Sequence, residues 1–172
     1  FGFTYNVAWR GFDLNVMLQG VGKRSQYLRG ELMEPFHSNY SYCIYEHQLD
    51  FWTPTNPDAR WPRLVAPGSS SSTNNWGMAG SDIYLLNAAY LRVKNVQLGY
   101  TIPKTWTQKF GVDKLRVSIN VENPLTFAKN SFIDPESSEF GSDMGGISGI
   151  GANSGRNYPT LSYYGFGLDI EF

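Results

Sequence analysis

Cysteine is almost missing from this sequence. Cys43 is the only one among 172 residues, which excludes an internal disulfide and any zinc site built from several cysteines. The two histidines, His37 and His47, lie in a loop-like region without metal-ligand spacing and read as ordinary loop residues. Charge is scarce too, at 17% of residues against about 25% in ordinary soluble domains. The 14 Lys and Arg offset the 15 Asp and Glu to a net charge of -1, so the basic excess expected of a nucleic-acid binder is absent. No apolar run approaches the roughly 18 residues of a transmembrane helix. That lack leaves membrane strands open, because they alternate lipid-facing and inward-facing residues and give a weak hydropathy signal. The opening residues, Phe1-Gly2-Phe3-Thr4-Tyr5, carry neither the basic region nor the apolar block of a secretory leader.

Aromatics and glycine are plentiful: 11 Tyr, 11 Phe, 5 Trp and 18 Gly. With so few charges, this suits a β protein with a lipid-facing or sugar-facing surface. Composition alone fits a secreted β-sandwich equally well.

Hydrophobic periodicity gives the organisation. Phe1, Phe3, Tyr5, Val7 and Trp9 alternate with Gly2, Thr4, Asn6 and Ala8, which predicts a strand over about 1–9. Arg10-Gly11 reads as a tight turn into a second strand over about 12–19, with Phe12, Leu14, Val16 and Leu18 in phase. Residues 20–84 hold several prolines and the run Ser69-Ser70-Ser71-Ser72-Thr73-Asn74-Asn75. They read as a long irregular loop with one short helix around Tyr45–Phe51. A third strand is expected over about 89–101. Its apolar phase slips near Lys94-Asn95, as a β-bulge or an exit from the membrane would make it do. Lys104–Phe110 reads as helical turns closed by Gly111. Leu115, Val117, Ile119 and Val121 mark a fourth strand over about 114–122, ending at Asn123-Pro124. Residues 129–160 are glycine-rich and loop-like. Tyr164, Phe166, Leu168, Ile170 and Phe172 mark a fifth strand over about 162–172.

The connections sort themselves. Short ones, at Arg10-Gly11 and 102–113, alternate with long ones, at 20–84 and 129–160. Antiparallel strands put alternate connections at the same end, so all short connections share one end and all long ones the other. Outer-membrane barrels have this asymmetry, with short periplasmic turns and long outer loops. A soluble β-sandwich gives no reason for it. Five strands are too few to close a barrel, which takes about eight. The expectation is therefore that residues 1–172 form one segment of a larger barrel. An aromatic Phe172 in phase with the last strand resembles the C-terminal strand of outer-membrane barrels.

Several blocks carry a family resemblance. Leu49-Asp50-Phe51-Trp52-Thr53-Pro54-Thr55-Asn56-Pro57-Asp58-Ala59-Arg60-Trp61-Pro62-Arg63 is similar to the D-[YF]-W-T-P-x-N-P-x-A-x-[YW]-P-R segment of SusC-like (SusC/RagA) transporters. Leu91-Arg92-Val93-Lys94-Asn95-Val96-Gln97-Leu98-Gly99-Tyr100-Thr101-Ile102-Pro103 resembles their L-R-[LV]-K-N-[VL]-x-L-G-Y-[TS]-[LI]-P strand. Val121-Glu122-Asn123-Pro124-Leu125-Thr126-Phe127, Asp134-Pro135-Glu136 and Gly20-Val21-Gly22-Lys23-Arg24 also resemble family segments. The blocks follow the expected order across nearly the whole chain. Asn123-Pro124 replaces the commoner Asn-Leu, and the polyserine-Asn run has no counterpart in the pattern.

The resemblance implies an all-β fold: C-terminal antiparallel strands of a large transmembrane β-barrel, about 22-stranded, with a plugged lumen. It implies TonB-dependent import of an oligosaccharide or peptide across the bacterial outer membrane. The implied partners are a SusD-like lid lipoprotein, outer-membrane lipid and, through an N-terminal part outside these residues, TonB. Loops 20–84 and 129–160 would lie on the cell surface. Neither cofactor nor metal nor catalysis is implied. Asp134, Glu136, Glu139 and Asp143 read as a solvated acidic loop rather than a cation site, since they lack EF-hand spacing. Trp76, Asn74, Asn75 and Trp61 are the expected substrate contacts, stacking on sugars or hydrogen-bonding a polar ligand. Trp61 and Trp52 both sit in the family-wide block, and for them locking the loop's own fold is the stronger reading. Trp9, Tyr100 and Trp106 would sit in an aromatic belt at the membrane interface.

Overall fold

The computed structural model describes residues 1–28, 32–36, 42–66, 81–137, 152–153 and 157–172. The chain divides into two compact units, Phe1–Gly22 with Ala89–Lys129 and Thr160–Phe172, and Lys23–Ala88 with Asn130–Pro159.

The first unit is a five-stranded antiparallel sheet: β1 (Gly2–Trp9), β2 (Phe12–Val21), β5 (Tyr90–Thr101), β6 (Lys114–Ala128) and β8 (Tyr163–Glu171), with neighbours in chain order. Arg10 (φ 48°) and Gly11 (φ 87°) both take positive φ, the conformation that lets a two-residue turn follow the twist of a hairpin. After β5 the chain makes a helical turn, Lys104–Thr107, tightened over Gln108–Phe110. Gly111 closes it at φ 72°, its N–H donating to the Gln108 carbonyl (3.1 Å).

Two irregularities keep the faces of this sheet consistent. The ladder between β5 and its neighbours shifts register between Val93 and Asn95, leaving Lys94 out of the pairing. The apolar phase of the sequence slips at the same place. Because Leu18 pairs with Val93, and Val93 with Leu125, the extra residue returns the greasy side chains of β5 to the same face. The second irregularity extends β6 past Glu122, where alternation predicts its end. Asn123 takes a positive φ of 50° and the ladder resumes at Leu125. Pro124 falls at the unpaired position, where a missing N–H costs no ladder bond.

The second unit holds three short strands that period-2 reading passes over. They are β3 (Ser25–Leu28), β4 (Leu85–Asn87) and β7 (Ala152–Asn153), in the order β4-β3-β7. β3 pairs antiparallel with β4 and parallel with β7. Leu28, Leu32, Met33, Trp61, Tyr84, Leu86 and Ile133 form its buried core, with Tyr27, Phe51, Leu64, Val65 and Ile83 against it. The helix expected around Tyr45–Phe51 is a single tight turn, Glu46–Gln48. No helix among the described residues is long and apolar enough to cross a membrane, which leaves strands untested.

Candidate functional site

The sheet has two chemically opposite faces, fixed by register. Trp9, Phe12, Tyr100, Val117 and Leu168 stand in one cross-strand row. Val7, Leu14, Leu98, Ile119 and Phe166 form the next, and Tyr5, Val16, Val96, Val121 and Tyr164 the one after. Every position in these rows is apolar or aromatic. The face is bare: Phe166 is 74% exposed, and Trp9, Ile119 and Leu168 are each more than half exposed. A contiguous apolar patch of this kind is rare on a monomeric soluble protein and marks a membrane or partner surface.

The opposite face is mostly polar, interrupted by Ala8, Met17 and Tyr163. Asn6, Asn15, Gln97 and Asn120 share a row with Gly165, and Asp13 shares one with Ser118. Asn15 Nδ2 donates to Asn6 Oδ1 across the first hairpin. Asn95 Nδ2 donates to Asn120 Oδ1 (2.8 Å). Arg116 makes a forked contact with Asp13, Nη2 to Oδ2 at 2.6 Å and Nε to Oδ1 at 3.1 Å, and its Nη1 reaches Asp169 Oδ2 at 3.1 Å. Gly99 makes room for this fork, since a Cβ there would overlap the Arg116 guanidinium and the Asp13 carboxylate. Bidentate pairing of this kind fixes direction as well as charge.

In the second unit the Asp50–Trp61 segment folds back on itself. Asp50 Oδ1 accepts from Asn56 Nδ2 (3.1 Å), and Oδ2 accepts from the Arg60 N–H (3.0 Å). Trp52 and Trp61 join by a backbone bond of 2.9 Å. Trp61 is 5% exposed, stacks on Tyr84 at 6.1 Å and donates its indole N–H to the His47 carbonyl (2.6 Å). Gln48, also buried, donates to the Met33 carbonyl (3.2 Å) and accepts from the Tyr45 N–H (2.9 Å). His47 stacks on Phe132 at 4.2 Å and donates from Nε2 to the Leu32 carbonyl (2.9 Å). Burial lowers the pKa of His47 against a smaller raising effect of that bond. Burial also raises the Tyr84 hydroxyl, helped by Tyr27. A cleft of about 320 Å³ opens beside this cluster, lined by Tyr45, Glu46, His47, Phe132 and Asp134 among others.

Of the expected substrate contacts, Trp61 stands in the loop core. Asn74, Asn75 and Trp76 lie outside the described residues, as do His37, the polyserine run, Glu139 and Asp143. Asp134 Oδ1 accepts from the Glu136 N–H (3.0 Å). Among the described residues no three His, Cys, Asp or Glu side chains converge as metal ligands. Sequence reading missed the Asp13–Arg116–Asp169 cluster. Its only trace is that all three charges occupy the non-apolar phase of their strands.

Comparison with known proteins adds the family context. No family model matches the sequence. The TonB-dependent receptor P26 of Formosa agariphila is 28% identical over 100% of this chain. The TonB-dependent receptor SusC of Bacteroides thetaiotaomicron is 25% identical over 91% of it. The chain is SusC/RagA-like. It spans only 17% and 15% of the lengths of those two relatives. The all-β fold agrees: solved structures of the RagAB peptide transporter superpose at TM-scores of 0.68 and 0.69, with 21% identity, over 99% of this chain and 17% of theirs. These relatives are named as receptors and importers, not enzymes.

Proposed function

We propose that this SusC/RagA-like chain is a C-terminal stretch of wall, with outer loops, of a large TonB-dependent β-barrel in the bacterial outer membrane. The barrel imports an oligosaccharide or a peptide. The observation that carries this reading is the two-faced sheet. Rows of Trp, Phe, Tyr, Leu, Val and Ile run unbroken across five strands on one side, with Asn, Gln, Asp and Arg on the other. An outward apolar band with a polar interior is the signature of transmembrane barrels. The apolar rows face lipid and the polar rows the lumen. Segments 20–84 and 129–160 face the outside of the cell. A SusD-like lipoprotein covers the barrel there, and a plug outside these residues receives TonB. Trp76, Asn74 and Asn75 contribute to substrate contact, whereas Trp61, buried in the loop core, holds the loop's own fold.

Adjacent residues of β5 test the placement. Leu98→Lys puts a charge on the proposed lipid face, and Gln97→Lys puts one in the lumen. Outer-membrane assembly, read by heat-modifiable migration on gels, should fall for Leu98→Lys and survive Gln97→Lys. Equal assembly of both would remove the lipid assignment. Import is tested by deleting the gene and growing cells on single oligosaccharide or peptide sources. Loss of growth on one source, restored by the wild-type gene but not in cells lacking TonB, is the expected result.

A further inference from the structure

The end of the sheet carrying the short connections holds a second apolar feature, separate from the strand rows. Ile102, Trp106, Thr107, Phe110, Val112 and Leu115 line an open groove of about 310 Å³, near the low end of ligand-pocket sizes. The Ile102 N–H donates to the Leu115 carbonyl (2.8 Å), and Leu115 pairs with Ile170. The groove therefore continues the apolar face beyond the last full row. Its shape is preset. Thr107 Oγ1 donates to the Lys104 carbonyl (3.3 Å), the Val112 N–H to the Thr107 carbonyl (3.2 Å), and the Asp113 N–H to the Glu171 carbonyl (2.8 Å). Yet Trp106 is 68% and Phe110 83% exposed, so large aromatics edge a slot that nothing in this unit fills.

Charge around the groove is distinctive. Lys104 pairs with Asp113 (3.1 Å) and Lys114 with Glu171 (2.9 Å), all four well exposed. Lys109 sits on the tight turn between two groove residues, Thr107 and Phe110, and among the described residues no ion pair engages it. Arg10, on the other short turn at this end, lies over the Trp9 ring at 5.0 Å. A slot whose exposed lining is apolar, on a turn that also carries a lysine outside any ion pair, fits a ligand with an apolar tail and an anionic head.

We propose that this groove holds an acyl chain of an anionic phospholipid, with the phosphate against Lys109. The inference rests on the membrane reading above and adds a defined lipid site to it. Basic residues near an anionic lipid surface contribute about 1 kcal/mol each, roughly fivefold in affinity.

The test uses the intact protein purified in dodecyl maltoside and titrated with dioleoyl phosphatidylglycerol or dioleoyl phosphatidylcholine. Lipid adducts are read by native mass spectrometry. The wild type should retain phosphatidylglycerol about fivefold over phosphatidylcholine. Lys109→Glu, on the exposed turn, should abolish that preference. Trp106→Ser combined with Phe110→Ser should reduce adducts of both lipids. Equal retention of the two lipids by the wild type, or adducts unchanged in both variants, would overturn the proposal. Co-flotation of the wild type with liposomes separates the two readings. A protein that floats but shows no groove-dependent adduct sinks the lipid site alone, whereas one that stays soluble without detergent and does not float sinks the membrane assignment as well.

Discussion

Phe166 in the sheet and Trp61 in the 23–88 and 130–159 unit are both large aromatics in a β-rich setting, and their surroundings are opposite. Phe166 stands bare in a row with Ile119 and Leu98, which are also uncovered. Trp61 is enclosed by Tyr84, His47 and Arg60, the last lying over its ring at 4.9 Å. The sheet pairs its polar groups through ladder bonds and side-chain contacts, apart from the buried Asn123 Oδ1, but encloses little hydrophobic volume of its own. The loop unit has a buried core suited to water. On the proposed reading the first region needs an apolar solvent and the second does not, although both come from one chain of unexceptional mean hydropathy.

Substitutions can break or sharpen that contrast. The largest effect is expected from Trp61→Ala, at about 3–5 kcal/mol for a buried large aromatic. Hydrogen exchange should show lost protection across Asp50–Trp61 and β3, with the five-stranded ladder unchanged. Loss of protection in the ladder too would mean that the two regions do not stand independently. Val121→Arg, two rows in from the interfacial Trp9 and Tyr100 row, comes next, at about 2–4 kcal/mol for a cation on a barrel's lipid face near mid-membrane. Folding titrations into lipid vesicles would measure it, and an undiminished midpoint would deny the sheet its apolar solvent. Asn123→Val should cost about 1–2 kcal/mol, because a β-branched residue resists the positive φ that Asn123 holds. Asn123→Gly should cost less than Asn123→Val in the same titration, since glycine accepts that φ.

The smallest effect concerns pH and belongs to the loop unit alone. His47 has a folded-state pKa below the ordinary 6.5, chiefly through burial. The unfolded loop therefore binds the proton more readily. The contribution of neutral His47 is complete above about pH 6.5 and is lost as pH falls below that value. Limited proteolysis at pH 7.5 and 5.5 should find the loop more readily cut at the lower pH. His47→Phe, which has no proton to gain, should remove that difference.

Much of the sheet was legible because one face is uniformly apolar. Phe1 to Trp9 and Tyr164 to Phe172 alternate without a break, and the slip at Lys94-Asn95 announces the register shift found there. β6 beyond Glu122 was not legible, since Asn123-Pro124 imitates a strand end when proline in fact occupies an unpaired position. β3 and β4, at four and three residues, are too short to display a period, and they form because Leu28 and Leu86 join a common core. The polar cluster escaped for a different reason. Asp13 and Arg116 lie 103 residues apart, and nothing local in either strand names the other as its partner.

Gly99 carries information that hydrophobic alternation cannot. A one-residue slip of β5 would throw its leucines onto the wrong face, but a two-residue slip leaves every face unchanged, so polarity alone is degenerate between alignments. Under such a slip Gln97 or Thr101 would arrive opposite Asp13, and a side chain would enter the space that the Arg116 fork occupies. The absent side chain thus acts as a key cut for one alignment, and a single missing methyl group distinguishes the correct strand pairing from its nearest counterfeit.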